Sequence, residues 1–317
     1  MPDIYDADSM DLRILEALRK DVRANIRLLA KECGISSTAV HSRIRKLKSS
    51  GIIIGTYLLV GHSTFDYQYQ ASVEILAETQ HMENVLKKIR ADPNVVVCTK
   101  GVGKYNLLCL VIGRNNDELN KDTQKIRNIP GVIGCATNLW VQEAIITGIS
   151  EKTLSSQQKP DDLDTKILEE LLKDCQVPCT VIASKLGVSI ETVRKRIAKM
   201  RANNIIRACS VTIDWSKLGY QGTAFFFILI KQGFKNDAVL NELKRIEAPL
   251  VYGKVTGSYD ILAIFGIKGV RDLTRLADWI QKMPSVAHID VSIANFTYFS
   301  FAPIPRNPFK CDTLELS

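Results

Sequence analysis

This 317-residue sequence lacks the features that mark several large classes of protein. No apolar run approaches the ~20 residues that a membrane-spanning helix needs. The first residues are acidic and carry no apolar segment, so we expect no secretory signal and no membrane partner. The eight cysteines form no CxxC pair, and no histidine stands near Cys175 or Cys179. We therefore expect eight reduced cysteines, no metal, no cofactor and a cytoplasmic protein.

What the sequence does contain is one module written twice, 153 positions apart. LAKECGISSTAVHSRIRKLKSSGII at 29–53 returns as IASKLGVSIETVRKRIAKMRANNII at 182–206, and Gly34 matches Gly187. This period is too long for a solenoid of stacked repeats. The pattern therefore predicts a duplicated two-part module.

The net charge of +8 is confined to the repeated segments. Residues 10–55 hold ten Lys and Arg against four Asp and Glu, a net +6. Residues 163–208 hold nine against five, a net +4, which leaves about −2 for the rest of the chain. Two confined basic segments indicate a polyanionic partner such as double-stranded DNA.

Each basic segment predicts three short helices. In the first copy the second helix covers about 26–33, with Leu28, Leu29 and Ala30 towards a core, and it stops at Gly34. Ser36 caps a third helix over about 37–49. Helix, glycine-containing turn and polar, basic helix form the helix-turn-helix pattern, which places the last helix in the major groove.

The outward side chains of the two third helices are the predicted DNA-binding residues. Those placed near base edges are Ser37, Thr38, His41, Ser42, Ile190, Glu191, Thr192 and Lys195. Those placed near phosphates are Arg45, Arg194 and Lys199, with Lys48 on the same outward face. Arg43 and Arg196 lie on the inner side of the third helices. An alternative to DNA contact is expected for them, in which they pair with Asp11 and Asp164 inside their own domains.

After each basic segment the apolar period changes from 3.6 to 2. The predicted order of elements is then β-α-β-β-α-β, the ferredoxin-like arrangement. In the second copy the strand at 222–231 is apolar on both faces through Phe225, Phe226 and Phe227. The sheet of the other copy is expected to cover its outer face, either within the chain or from a partner chain.

The predicted fold class is therefore α+β, with two winged or helix-turn-helix three-helix domains each followed by a ferredoxin-like domain. The predicted domains are a helix-turn-helix domain at 1–60, a ferredoxin-like effector and dimerisation domain at 61–149, a linker at 150–162, a second helix-turn-helix domain at 163–212, a second effector domain at 213–302 and a tail at 303–317.

This order of parts resembles the Lrp/AsnC regulators of bacteria and archaea, over nearly the whole chain and twice. The matching motifs are Asp11-Leu12-x-Ile14-Leu15, Leu29-Ala30 through Gly34-Ile35-Ser36, Arg43-Ile44-x-x-Leu47, Gly51-Ile52-Ile53, their counterparts Asp164, Ile167, Leu168, Gly187, Ser189, Arg196 and Ile197, and Pro130-Gly131-Val132. The resemblance implies a sequence-specific transcriptional regulator associated with the nucleoid, not an enzyme. Ordinary members carry one module per chain and pair through their effector domains, which implies a homo-oligomer or one chain that imitates a dimer.

Gly257-Ser258-Tyr259-Asp260 is similar to the family's Gly-x-Tyr-Asp turn. The resemblance implies that Gly257, Tyr259 and Asp260 line a pocket for a small amino-acid effector, with Asp260 accepting from its ammonium group. The first copy has Gly103, Tyr105 and Asn106, so an amide replaces the carboxylate. The same turn is also a reasonable hairpin without any ligand. Two further positions depart from the family pattern. Residues 284–286 read Pro-Ser-Val where the first copy has Pro-Gly-Val, and Asn204 replaces the glycine matched by Gly51.

Two alternative functions remain. A nucleoid protein that coats DNA would use the same helices with mainly phosphate contacts. Siroheme decarboxylases share the two-part architecture, sometimes fused, and that function expects His and Arg facing an acidic tetrapyrrole. Of the four histidines only His288 is expected on a sheet strand, and the charge outside the basic segments disfavours a polyanionic substrate.

Overall fold

The computed structural model describes residues 4–61, 66–141, 145–146, 159–246 and 249–295. The predicted linker lies outside the described residues up to position 158, and the predicted tail at 303–317 lies outside them entirely. The fold is α+β, with two helix-turn-helix modules each followed by a β-α-β-β-α-β unit, as the two apolar periods predicted. We call these latter parts sheet unit 1 (66–146) and sheet unit 2 (222–294).

The helices are α1 (Ser9–Lys20), α2 (Ile26–Cys33), α3 (Ser37–Ser49), α4 (Met82–Ala91), α5 (Asn116–Arg127), α6 (Asp162–Lys173), α7 (Cys179–Leu186), α8 (Ile190–Ala202), α9 (Asn236–Leu243) and α10 (Val270–Gln281). The strands are β1 (Ile53–Val60), β2 (Tyr69–Ala77), β3 (Val95–Gly103), β4 (Leu107–Gly113), β5 (Val132–Trp140), β6 (Ile145–Ile146), β7 (Ile206–Ile213), β8 (Gly222–Ile230), β9 (Pro249–Thr256), β10 (Ile261–Ile267) and β11 (Val286–Ala294).

The helix-turn-helix modules form where the capping signals predicted them. Gly34 adopts a left-handed φ of 69° after α2, and the Ser36 hydroxyl accepts from the Ala39 N–H at the start of α3. One prediction about α2 was wrong: Leu28 is 56% exposed. Leu29 fills the core face of this short helix, and Leu28, one position earlier, is rotated about 100° away from it.

The two helix-turn-helix modules share one core, because a ribbon that the sequence did not reveal joins them. Strands β1 and β7 pair antiparallel, with Tyr57 opposite Ser210. Helix α1 of the first module packs on β7 of the second, and the buried side chains of both modules form a single cluster. The two modules are therefore one body rather than two independent heads.

The two sheet units also join within the chain. Strands follow the order β10-β8-β11-β3-β4-β2-β5-β9, and β9 pairs with β10 again, which closes a ring of eight strands. The junctions between units are β11 with β3, where Ser292 lies opposite Gly103, and β5 with β9, where Leu139 lies opposite Thr256. The strand predicted over 132–146 is divided into β5 and β6, both of which pair with β9.

The two-sided apolar strand in unit 2 is explained by this ring. Phe226 packs with α9 and α10 on the outside, whereas Phe225 and Phe227 face the interior between the two sheets. All three are buried. The expected cover is thus the sheet of the other copy, supplied by the same chain.

The expectation of eight reduced cysteines was wrong. Cys175 and Cys209 form a disulfide, with their Cα atoms 5.8 Å apart, a separation within the usual range. The bond connects the turn after α6 to β7, which is one strand of the unpredicted ribbon. Cys33, Cys98, Cys109, Cys135 and Cys179 are free thiols, and Cys311 lies outside the described residues.

Gly257 offers a test of the junction between β5 and β9. Its φ is +147°, and a Cβ there would lie 2.5 Å from the Thr137 carbonyl oxygen. We expect Gly257→Ala to lower the free energy of unfolding by about 3 kcal/mol, because the two backbones must separate. Urea unfolding followed by circular dichroism measures this.

Gly233→Ala is the matched control for this substitution. Gly233 also has a positive φ, +87°, but its Cβ would meet nothing within 4 Å. Its cost is therefore conformational only, about 1 kcal/mol. Equal losses in the two variants would contradict the close approach at Gly257.

Candidate DNA-binding surface and sheet-unit junctions

Helix α3 presents a polar and basic face. Thr38, His41, Ser42, Arg45 and Lys48 are exposed, and the predicted base-reading Ser37 is half-buried. The opposite side of the helix is closed by side chains in the shared core, Val40 and Leu47. The orientation needed for the predicted DNA contacts is therefore present.

Helix α8 presents a different face. Ile190, Glu191, Arg194, Lys195 and Lys199 are exposed. Glu191 lies one turn before Lys195, with 3.9 Å between Oε1 and Nζ. An acidic group therefore occupies the start of this helix, where α3 has Thr38.

The half-buried Thr192 is engaged in the cap of α8. Its N–H donates to the Ser189 hydroxyl at 3.0 Å, and the two hydroxyls lie 2.8 Å apart. This residue, predicted to contact DNA, therefore has a local structural role.

The arginines on the inner side of α3 and α8 hold the helices in place. Arg43 Nη1 donates to Asp11 Oδ1 at 2.7 Å, and also to Asp8, the N-cap residue of α1. Arg196 makes the equivalent contact with Asp164 at 3.3 Å. Pairing inside the domain is thus confirmed for both, which ties each third helix to the start of the first.

Further contacts cross between the modules. The Arg23 guanidinium donates to the carbonyls of Cys175 and Val177 at 3.0 and 2.9 Å. Arg201 pairs with Asp21 at 3.1 Å. Together with the β1–β7 ribbon, these contacts set the position of α3 relative to α8.

The predicted effector turns carry structural contacts. Asp260 Oδ2 accepts from the Ile230 N–H at 2.8 Å, which anchors the end of β8. Asn106 anchors the end of β2 more fully, because its amide accepts from the Ala77 N–H at 2.8 Å and donates to the Ala77 carbonyl at 2.7 Å. Asn106 and Asp260 therefore anchor the end of the equivalent strand in their two copies, and Asn106 makes one hydrogen bond more than Asp260 does.

At the junction of β5 with β9, which we call the Asn138 junction, one buried amide connects the two units. Asn138 Oδ1 accepts from the N–H groups of Ser258 and Tyr259 at 2.8 and 3.2 Å, and its Nδ2 donates to Glu74 Oε2 at 2.7 Å. Glu74 is only 1% exposed. Burial raises its pKa to about 7, although the hydrogen bonds favour the charged form.

Sequence reasoning missed both Glu74 and Asn138. Glu74 belongs to the alternating segment 67–75, whose polar positions read as a solvated face. In the structure the second sheet unit covers that face, so the polar side chains are buried. Only the period of the strand was visible in the sequence.

At the junction of β3 with β11, which we call the Lys104 junction, a cation connects the units. Lys104 Nζ donates to Asp290 Oδ2 at 2.7 Å and to Tyr259 Oη at 3.0 Å, and Tyr259 Oη donates to Asp290 Oδ2. Burial and the bond to Asp290 raise the pKa of Tyr259 to about 12. His288 does lie on β11, as predicted, exposed and with Nε2 3.2 Å from Asp290 Oδ1.

Within the described residues, no helix has the length and apolar character to cross a membrane. The same parts of the chain contain no group of three His, Cys, Asp or Glu side chains placed to hold a metal ion.

Comparison with protein families matches three segments of the chain. The winged helix-turn-helix DNA-binding profile matches residues 8–54, and the AsnC-type helix-turn-helix domain matches residues 161–201. The Lrp/AsnC ligand binding domain matches residues 70–148. Both helix-turn-helix modules and sheet unit 1 are therefore recognised independently.

Two relatives with assigned names are regulators. The HTH-type transcriptional regulator LysM of Saccharolobus solfataricus is 33% identical over 132 residues, which is 40% of this chain and 88% of that protein. The regulatory protein AsnC of Haemophilus influenzae is 37% identical over 101 residues, 32% of this chain and 67% of that protein. Each relative thus corresponds to less than half of this chain.

A solved structure matches the duplicated architecture. The siroheme decarboxylase NirDL superimposes with a TM-score of 0.60 at 16% identity, covering 92% of this chain and 95% of that chain. Its complex with an iron-uroporphyrin III analogue also gives 0.60, at 15% identity, covering 90% and 91%. At this identity the likeness shows the tandem fold alone.

Glu74 makes the stability of the ring depend on pH. Its pKa of about 7 lies above the ordinary 4.5, so the folded chain holds the proton more tightly than the unfolded chain does. The carboxyl therefore costs increasing stability as pH rises through that interval. We expect Glu74→Gln to raise the free energy of unfolding by up to about 3 kcal/mol above pH ~7 and by little near pH ~4.5.

The measurement is urea unfolding of wild type and variant across this pH range. Glu32→Gln, at an exposed position on α2, is the control and should leave the pH profile unchanged. A pH-independent effect of Glu74→Gln would refute the assignment.

Proposed function

This chain belongs to the Lrp/AsnC family of helix-turn-helix transcriptional regulators, and from that premise we propose that it is a sequence-specific DNA-binding regulator rather than an enzyme. The observation that carries the proposal is the pair of exposed third helices, α3 and α8, mounted on one shared core. Such a protein acts at the nucleoid in the cytoplasm. Its intrachain ring imitates the pairing of two single-module chains.

DNA contacts divide into two kinds along each helix. On α3, His41 and its neighbours Ser37, Thr38 and Ser42 meet base edges, while Arg45 and Lys48 meet phosphates. On α8, Ile190, Glu191, Thr192 and Lys195 meet base edges, while Arg194 and Lys199 meet phosphates. Exposure of nearly all of these side chains, and the net positive charge of both modules, support this division.

The preferred DNA site is asymmetric. A dimer of identical chains reads a palindrome because both halves present the same side chains. Here Glu191 stands at the start of α8, where it can accept from a cytosine amino group, and α3 offers hydroxyls instead. The ribbon between β1 and β7 keeps the two helices at one separation, so the spacing of the two half-sites is constant.

A small amino-acid-like effector modulates this binding in the same proposal. Gly257, Tyr259 and Asp260, with Gly103, Tyr105 and Asn106 in the first copy, are the candidate effector residues. Two observations support the location: the turns lie at the junctions, and the ribbon packs Leu59 and Ala208 on the interior of the ring. A ligand that changes a junction therefore acts close to the DNA-binding body.

Association of several chains is a further prediction, tested by light scattering.

The test is selection of bound duplexes from a random DNA pool by the full chain at several salt concentrations. An enriched, non-palindromic two-part motif whose binding survives moderate salt supports the proposal. Steep loss with salt and no enriched motif would assign a DNA-coating function instead. No binding at any salt would overturn both and favour the tetrapyrrole-dependent enzyme, tested next by absorption spectra after addition of siroheme.

Substitutions on the two helices should have separable effects. We expect His41→Ala and Glu191→Ala each to relax base preference in a different half of the motif, at about 1–3 kcal/mol for the preferred base. Arg45→Ala should weaken binding to all sequences and reduce the salt slope by about 1. Binding to the selected duplex and to single-base variants, measured by fluorescence anisotropy, distinguishes these outcomes.

Lys87→Ala, an exposed lysine on α4 away from both third helices, is the control and should leave affinity and salt slope unchanged. If His41→Ala and Glu191→Ala altered preference at the same bases, the asymmetric arrangement would be wrong.

A further inference from the structure

The Lys104 junction contains a complete set of contacts for an ammonium group. Asp290 Oδ2 and Tyr259 Oη lie 2.7 and 3.0 Å from Lys104 Nζ. The ring centroids of Tyr259 and Tyr105 lie 5.5 and 5.7 Å from the same nitrogen, within cation–π range. Negative charge, a hydroxyl acceptor and two aromatic faces therefore converge on one cation.

These partners are held in place without Lys104. Tyr259 is only 6% exposed, and its ring packs against that of Phe227, tilted by 36° with centroids 5.2 Å apart. Tyr105 meets the same Phe227 edge-on at 6.4 Å. Asp290 is fixed on β11, where His288 Nε2 also reaches its Oδ1. The site is thus built by the packed interior, and the lysine enters it from the neighbouring unit.

We propose that Tyr105, Tyr259 and Asp290 form a binding site for a primary alkylammonium group, which the chain's own Lys104 occupies as a built-in ligand that fastens sheet unit 1 to sheet unit 2. Sheet unit 1 contributes one aromatic ring to the site, that of Tyr105. The carboxylate and the hydroxyl come from unit 2. Occupancy of the site therefore joins the two copies.

Among the described residues, the second junction has no equivalent of this site. Where the Lys104 junction has Lys104 and Asp290, the Asn138 junction has Ser258 and Ala136 at the matching positions of the strand register. Asn138 joins the units there through backbone N–H groups instead. The two junctions of this single-chain pair are therefore held by different chemistry.

The site is accessible to a small molecule. The side chain of Lys104 is 51% exposed and that of Asp290 is 22% exposed. Lys104→Ala removes Cγ, Cδ, Cε and Nζ, which together are the atoms of n-propylammonium. n-Propylammonium therefore matches the space that Lys104→Ala leaves beside Asp290 and the two tyrosines.

The experiment is chemical rescue of Lys104→Ala in the full chain. n-Propylammonium chloride should raise the Tm of this variant saturably, by about 2 °C or more at several times its Kd, and should shift the NMR signals of Tyr259. Wild type should respond much less, because its site is filled. Sodium chloride at equal ionic strength, and tetramethylammonium, which has no N–H donor, should not reproduce the effect.

Two further variants make the result specific. Lys100→Ala removes a lysine of similar exposure on β3, the strand that ends just before Lys104. Lys100 pairs with Glu83 and no cation–π contact is found for it within the described part of the chain, so this variant should show no rescue. Lys104→Ala combined with Asp290→Asn should lose the rescue, since the counter-charge is gone. If Lys104→Ala folds poorly, Lys104→Ser, which carries the residue of the other junction, replaces it.

A Tm shift of equal size in Lys104→Ala, Lys100→Ala and the Asp290→Asn combination would overturn the proposal, as would no saturable binding to either Lys104 variant. These outcomes are independent of DNA binding, so they test the ammonium site separately from the proposed DNA-binding activity. Tyr105 and Tyr259 are shared with the candidate effector residues.

Discussion

Hydrogen bonding between the exposed edges of the two copies is the interaction on which the rest of this structure depends. A four-stranded sheet ends in two rows of unpaired backbone groups, and burying its apolar face leaves those edges open. Here each edge of sheet unit 1 pairs with an edge of sheet unit 2, so eight strands close into a ring. The β1–β7 ribbon does the same for the two helix-turn-helix modules. One covalent chain thereby contains a complete pair.

Closure within one chain allows the two copies to differ, because the matching positions are no longer encoded by the same residue. At one matching position inside the ring Glu74 faces the interior, and at the other Phe227 does. One junction uses the buried Asn138 amide, and the other uses a charged cluster around Lys104. A homodimer has to place the same side chain on both sides of its axis, whereas this chain has separated the two roles.

The same scaffold is compatible with more than one activity, so the fold does not decide between them. The tandem architecture is shared with a siroheme decarboxylase at low identity, whereas LysM and AsnC, two relatives above 30% identity, are regulators. What separates the two functions is the chemistry of particular surfaces. The third helices retain exposed polar and basic faces, and the ring interior is filled by apolar side chains, among them Phe225, Phe227 and Tyr259.

Local properties of this protein were determined by the sequence alone. Gly34 and Ser36 set the limits of α2 and α3, the period of two identified the strands, and the doubled apolar face at Phe225–Phe227 required a cover. Only the tertiary structure decided which surfaces meet. It buried Glu74, gave Asp260 and Asn106 their strand-anchoring role, brought Cys175 to Cys209 and placed Lys104 against Asp290. Periodicity reports the environment along one element, but these contacts join different elements. The burial of Glu74 and the pairing of Lys104 with Asp290 depend in addition on how the edges of the two copies align.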